Sequence, residues 1–465
     1  MSDALRFRHI LTARGIERHR CVRLDAAGRI AAIEPIPDEA GVRYDGWLAL
    51  PGMPNAHSHA FQRALTGQGE ATRGDAVEGG DSFWGWREAM YGIAAKITPD
   101  DLHAIAARAY GDMLRGGYTS VAEFHYLHHL PDGTPTPVMA EALIAAAADV
   151  GIRLVLLPVY YRRGGFDRAA TPAQRRFVHA GIDDYLTLLS ELTGVALGIA
   201  PHSLRAVPPE ELAPLETGAV AVLGDDFPRH IHIAEQPAEV EACVAALGGT
   251  PVDVLADTVA LSERWQLIHA THATEAELAR IIAAGAGVVL CPLTEAYLGD
   301  GIFPARHFVE QGGRLSIGSD SNVRLDAVEE LRLLEYGQRL VSGNRACLAA
   351  ETGLGGPLWR RCAEGGARAL GQPVGRLEAG AQADIVALDP AHPALAGLPP
   401  ERALDALVTG GDGGCVADVW VGGRRRVSGR VLADAGRIDR DYRRTLAALG
   451  LGNDGAPAVG RGRAP

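Results

Sequence analysis

Leu50-Pro51-Gly52-Met53-Pro54-Asn55-Ala56-His57-Ser58-His59 ends an apolar run, residues 47–50, that reads as a strand. Side chains two apart on a strand share a face, so the two imidazoles point at one spot. Neutral imidazoles converging at a strand end are the start of a metal site. From this stretch onward, short apolar runs alternate with longer segments of helical pattern. The runs cover residues 48–53, 119–124, 152–159, 195–200, 230–234, 265–270, 287–292 and 314–318. Helical patterns cover 99–114, 137–150, 173–192, 237–247, 275–284 and 327–340. Strands alternating with helices predict a parallel sheet, and about eight such units close a barrel. The expected fold is therefore α/β, a (β/α)8 TIM-type barrel over residues 51–370, since such barrels take about 250 residues and more with insertions.

The flanks read differently. Residues 1–50 and 371–432 hold short β-like pieces and Gly turns, and neither could bury a core alone. They are expected to pair into one small β-sandwich-like domain. Residues 433–465 read as a C-terminal helix and a disordered tail, the latter rich in Gly, Ala, Pro and Arg.

Bulk properties exclude several classes. A net charge of -12 argues against a nucleic-acid or anionic-membrane partner, so an anionic substrate would need local, specific cations. The six cysteines lack CxxC spacing, which argues against a disulfide framework or a cysteine zinc site and fits a reducing cytoplasm. No secretory signal and no long uncharged apolar stretch is visible.

Barrel chemistry sits at the C-terminal ends of the strands. Those ends carry His57 and His59 with Gln62 beyond, then Glu123-Phe124-His125-Tyr126 and His202-Ser203-Leu204-Arg205. Further along come His232-Ile233-Ala234-Glu235, His269 and Ser319-Asp320. A lone strand histidine is more often a hydrogen-bonded core residue than a ligand, and a lone Asp here would be a turn or cap residue. Jointly, His57, His59, His232 and Asp320 make three imidazoles and a carboxylate, a set suited to zinc or iron. Glu235 and His269 beside them suit proton transfer and polarisation at a hydrolytic site.

These residues resemble the amidohydrolase superfamily in its mononuclear deaminase branch, and within it the formiminoglutamate deiminases. The specific segments are Ser82-Phe83-Trp84-Gly85-Trp86-Arg87 and Leu298-Gly299-Asp300-Gly301-Ile302-Phe303-Pro304. The resemblance spans roughly residues 45–430. It implies one Zn2+ per chain (Fe2+ or Mn2+ fit the same ligands) on His57, His59, His232 and Asp320. It also implies Asp320 as acceptor of the water proton, His269 steadying the tetrahedral intermediate and Glu235 passing a proton to the departing nitrogen. The implied reaction turns N-formimino-L-glutamate into N-formyl-L-glutamate and ammonia, in histidine breakdown. Arg205 is the expected carboxylate clamp, because guanidinium binds carboxylate through two parallel hydrogen bonds. Gln62, Tyr126 and His202 offer further polar contacts, and Arg87 sits in an expected loop that in the family reaches a neighbouring subunit of a homodimer. Where the family pattern has Asn, this chain has the bulkier Tyr297, which bears on the shape of the expected pocket. Rival readings are a deaminase of guanine, cytosine or an adenosine derivative, which would want a stacking slot, and a non-catalytic barrel, which would be expected to lose ligands.

Overall fold

A computed structural model describes residues 3–37, 41–68 and 82–452, apart from the side chains of 82–85 and 88. The expected run 48–53 divides at Gly52 into two strands with different partners. Gly46–Pro51 pairs in parallel with Ala4–Thr12 and antiparallel with Ile385–Leu388. Met53–Ser58 pairs in parallel with Tyr118–His125. The break is steric: a Cβ on Gly52 would lie 2.1 Å from Thr119 Oγ1, and the Gly52 amide donates to the Asp384 carbonyl at 2.9 Å. The histidine pair therefore belongs to a strand that starts at Met53, and the apolar run before it belongs to the flank sheet.

The protein is mixed α/β with parallel sheets. Met53–Ser58, Tyr118–His125, Arg153–Tyr160 and Ala196–Leu197 lie side by side, and Ala200–Pro201 also pairs with Arg153–Tyr160. Arg229–Ile233, Trp265–His269, Gly287–Leu290 and Arg314–Ile317 form a second parallel sheet. Parallel bridges Ser58–Asp320 and Ile199–Arg229 join the two sheets at both edges. Val155, Leu157, Ile231, Leu267 and Val289 are fully buried, as strands covered on both faces require.

Helices Pro237–Leu247 and Glu275–Ala284 keep the bounds their sequence pattern predicts. Thr274 caps the second through a capping box with Glu277. The expected helix over 173–192 shortens to Ile182–Glu191. The residues before it are spent on tertiary bonds instead: Arg176 Nε donates to the His129 carbonyl at 2.8 Å and Gln174 Nε2 to Tyr161 Oη at 2.8 Å.

Both chain ends meet in one eight-stranded sheet. Its order is Val431–Leu432, Arg424–Ser428, Val416–Val421, Ile385–Leu388, Gly46–Pro51, Ala4–Thr12, Gly15–Leu24 and Ile30–Pro35. Phe7, Ile10, Val22, Ala49, Ile385 and Trp420 form its own core, with Phe7 and Trp420 edge to face at 5.6 Å. A bidentate pair, Arg153 to the fully buried Asp384 carboxylate at 2.9 and 3.0 Å, ties this sheet to the start of a parallel strand. The expected C-terminal helix forms over Ala435–Ala448 and packs on Pro99–Arg115. The tail expected to be disordered lies, from 453, outside the described residues. No described helix is long and apolar enough to cross a membrane.

Helix Gly355–Leu370 packs across the seam between Met53–Ser58 and Arg314–Ile317. Its Gly365 has no room for a side chain, because a Cβ would fall 2.0 Å from the Leu315 carbonyl oxygen. Gly365→Ala is expected to destabilise the protein by about 1–3 kcal/mol in urea unfolding; a midpoint equal to the parent's would show that this contact relaxes freely.

Candidate metal and hydrolytic site

Three strand ends deliver His57, His59, His232 and Asp320 to one place, each nearly or fully buried. One ligand atom from each lies within 4.8 Å of all the others. His57 Nε2 is 3.0 Å from His232 Nε2 and 3.5 Å from Asp320 Oδ1, and His59 Nε2 is 3.2 Å from Asp320 Oδ1. A backbone carbonyl only accepts, so the tautomers of two rings follow from their partners. His59 Nδ1 donates to the Phe124 carbonyl at 2.8 Å and His232 Nδ1 to the His202 carbonyl at 3.0 Å. Each ring thus turns an Nε2 lone pair toward the cluster, the usual outcome where a second nitrogen orients a metal ligand. Burial pushes His57 down to about 3 and His232 well below the usual range, keeping both neutral. For Asp320 burial acts upward, but the neighbouring His57 and His59 outweigh it and hold the carboxyl well below the usual range. Neutral imidazoles and an ionised carboxylate, buried and convergent, fit a divalent cation.

The backbone at these strand ends is unusual. His269 (φ 68°), Asp320 (φ 44°), Ala234 (φ 49°), Ala270 (φ 49°) and Asn322 (φ 57°) all occupy the left-handed region. Each such non-glycine residue costs on the order of 1 kcal/mol or more and persists where its surroundings over-determine it. The kink at His269 aims its ring inward. Its Nδ1 lies 3.2 Å from Glu295 Oε1, and its Nε2 lies 3.7 Å from Asp320 Oδ2 and 3.9 Å from Glu235 Oε1. Burial alone would lower the His269 pKa, but Glu295, Glu235 and Asp320 together push it up to about 10. Glu295 also accepts the Cys291 amide at 2.9 Å, so its carboxylate is fixed. Sequence reading gave Glu295 no role; its only signal was its place in a family-like segment.

Glu235 follows its strand and is 8% exposed. Arg205 reaches it, Nη2 to Oε2 at 3.5 Å, and also approaches Glu239 at 3.7 Å. For Arg205, burial acts downward while Glu239 and Glu235 raise its pKa, so it stays charged.

One cavity brings the expected substrate contacts to the candidate metal ligands. Gln62, Arg87, Tyr126, His202 and Arg205 line it together with His59, His232, Glu235 and Asp320. Gln62 Nε2 donates to Tyr126 Oη at 2.7 Å, while its buried Oε1 has no partner among the described residues. One expectation needs correction. Arg87 is on a helix, Ser82–Ala94, and not in a loop; its Nε donates to Tyr91 Oη at 2.8 Å, one turn on, and it lines the cavity of its own chain. Tyr297 is not among the cavity residues but packs against the core, and Leu298 is the wall there. Trp86, Met90, Tyr91, Tyr161 and Phe177 complete the cavity, and the sequence reading gave none of the last three a role.

The sequence pattern of the amidohydrolase family matches residues 48–426. A formimidoylglutamate deiminase of Pseudomonas aeruginosa is 45% identical over 451 residues, spanning 94% of this chain and 98% of its own. Among solved structures, an amidohydrolase from Brucella melitensis superposes with a TM-score of 0.88 at 40% identity, over 96% of this chain and all of its own. An adenosine deaminase from Xanthomonas campestris with bound zinc superposes with a TM-score of 0.78 at 24% identity, over 96% and 98%, a likeness of fold. A match of this extent, together with the His-x-His pair, His232 and Asp320 in one cluster, establishes that this chain belongs to the amidohydrolase family.

Proposed function

We propose that the protein is a zinc-dependent formimidoylglutamate deiminase, which hydrolyses N-formimino-L-glutamate to N-formyl-L-glutamate and ammonia in histidine breakdown. The observation that carries this reading is the convergence of two guanidiniums, Arg87 and Arg205, with His59, His232, Asp320 and Glu235 in one cavity. A substrate with an amidine at one end and two carboxylates at the other needs both halves of that arrangement. The 45% identical relative, named for this activity, supports the same reading.

His57, His59, His232 and Asp320 would hold the metal. Bound there, zinc would supply Lewis acidity, lowering the pKa of a coordinated water to about 7. The chain's own residues divide the remaining work. Asp320 Oδ2 is free to take the proton of the attacking water while Oδ1 faces His57 and His59. His269, held protonated by Glu295, donates toward the oxygen that becomes the formyl oxygen. Glu235 carries a proton to the imino nitrogen, so that ammonia leaves rather than an amide anion. Arg205 gives up its contacts to Glu235 and Glu239 for a substrate carboxylate, a stronger bidentate partner. Gln62, Tyr126, His202 and Arg87 orient the rest of the diacid.

The larger frame of this reading is a closed (β/α)8 barrel over 51–370, formed from the two parallel sheets that are bonded at both edges. The flanks 1–50 and 371–432 would fold over as a sandwich-like domain. The protein would work as a cytoplasmic homodimer on a small anionic substrate, with no nucleic-acid or membrane partner. The unpaired state of all six cysteines supports the reducing compartment.

Ammonia release decides between this activity and ring deamination. The zinc-loaded protein is expected to favour formiminoglutamate over guanine, cytosine and adenosine by at least about 10²-fold in kcat/KM; a ring substrate that wins transfers the assignment. Glu235→Gln is expected to keep zinc content and lose about 10²-fold or more in kcat, and turnover near the parent's would remove Glu235 from proton transfer. Arg205→Met is expected to raise KM for formiminoglutamate about 10-fold or more with zinc content unchanged, because a charge-assisted contact is lost. An unchanged KM would take Arg205 out of the binding site.

A further inference from the structure

Behind the strand that carries His57 and His59 runs a chain of side-chain hydrogen bonds that the proposed reaction does not use. Its members are Asn55, Ser58, Glu123, Ser319 and Asn322, each at most 1% exposed. Asn55 Nδ2 donates to Ser319 Oγ at 2.6 Å, and Ser319 Oγ donates onward to Asn322 Oδ1 at 2.6 Å. Asn322 Nδ2 donates to Ser58 Oγ at 3.1 Å, and Ser58 donates to Glu123 Oε2 at 2.8 Å. The ends are anchored on backbone: Glu123 Oε1 accepts the Ala60 amide at 2.6 Å, and Asn55 Oδ1 accepts the Ser319 amide at 3.0 Å. Both hydroxyls receive one hydrogen and give one, so the chain runs in a single direction.

Its placement relates it to the metal cluster. Ser58 sits between His57 and His59, and strand alternation turns its side chain to the opposite face from theirs. Ser319 and Asn322 flank Asp320 on either side. The chain therefore spans the seam where the His-x-His strand meets the Asp320 strand end, and it braces Asp320 and Asn322 in left-handed backbone. A core of apolar residues would be the less costly way to fill this space, because a buried polar chain tolerates no unsatisfied member. A requirement for fixed geometry explains why polar residues stand there.

We propose that Ser58, Asn322 and Glu123, with Asn55 and Ser319, are positioning residues that hold His57, His59 and Asp320 at the spacing a divalent cation needs. Their hydrogen bonds then set how slowly the cation leaves. This rests on the reading that those ligands hold metal. The test is release of zinc from the full-length, zinc-loaded protein to excess chromogenic chelator, with thermal unfolding measured in parallel. Ser58→Ala deletes the central oxygen without adding volume. Asn322→Gly keeps left-handed backbone accessible while deleting both bonds, and Glu123→Gln keeps shape but turns one acceptor into a donor. Release is expected to be about 10–100-fold faster in each variant than in the parent. Release within about twofold of the parent's, even with a lower melting temperature, would overturn the proposal and leave the chain a plain packing feature. Acceleration in Asn322→Gly without acceleration in Ser58→Ala would also overturn it, since backbone freedom alone would then be the cause. A parent that retains no zinc fails the metal reading itself, which is a distinguishable result.

Discussion

The His57 carbonyl accepts two amides, Ser319 at 2.9 Å and Asp320 at 3.0 Å, and the His59 amide returns a bond to the Asp320 carbonyl at 3.0 Å. These three bonds fasten the end of Met53–Ser58 to the end of Arg314–Ile317, so residues more than 250 positions apart in sequence become neighbours. Everything chemical in the molecule depends on that seam. Without it the His-x-His pair faces an empty edge and Asp320 is an ordinary turn residue. The strands contribute side chains only because their ends are held level.

Burial is what makes the site reactive rather than inert. Imidazoles deprived of water stay neutral and keep their lone pairs for a cation. The same burial would discharge His269, yet three carboxylates around it reverse the sign. Arg205 shows the complementary case: a guanidinium lining the cavity is kept charged by Glu239 and Glu235 although burial acts against it. Local charge of either sign is thus installed in a protein whose overall balance is strongly negative.

Much of the parallel core was legible because its strands are short apolar runs bounded by helix-starting signals. Helices Pro237–Leu247 and Glu275–Ala284 begin at residues that cap or pre-set a first turn, and their limits could be read directly. The divisions were not legible. A continuous apolar run over 48–53 does not say that its two halves serve different sheets, since both halves are equally buried and only the approach of Thr119 to Gly52 separates them. Residues 173–181 have helical composition, but Gln174 and Arg176 gain more from distant partners than from a helix ladder. Arg87 lies among aromatic residues and glycine, a composition as suited to a loop as to the helix it occupies.

By itself the sequence determined residue chemistry and spacing: imidazoles two apart on a strand, a carboxylate three beyond His232, Asp320 after a small-residue turn. Those are local facts, set by covalent order and the period of a strand, and they were enough to indicate an amidohydrolase-type metal set. The tertiary structure decided which of the many strand-end polar residues share one cavity, that Leu298 rather than Tyr297 forms its wall, and that Glu295 sets the charge of His269. Such relations depend on distances between segments that no spacing rule connects. They are fixed by the pairing of strand ends, the kinks at His269 and Asp320, and the packing of an aromatic wall contributed by residues with no periodic signal of their own.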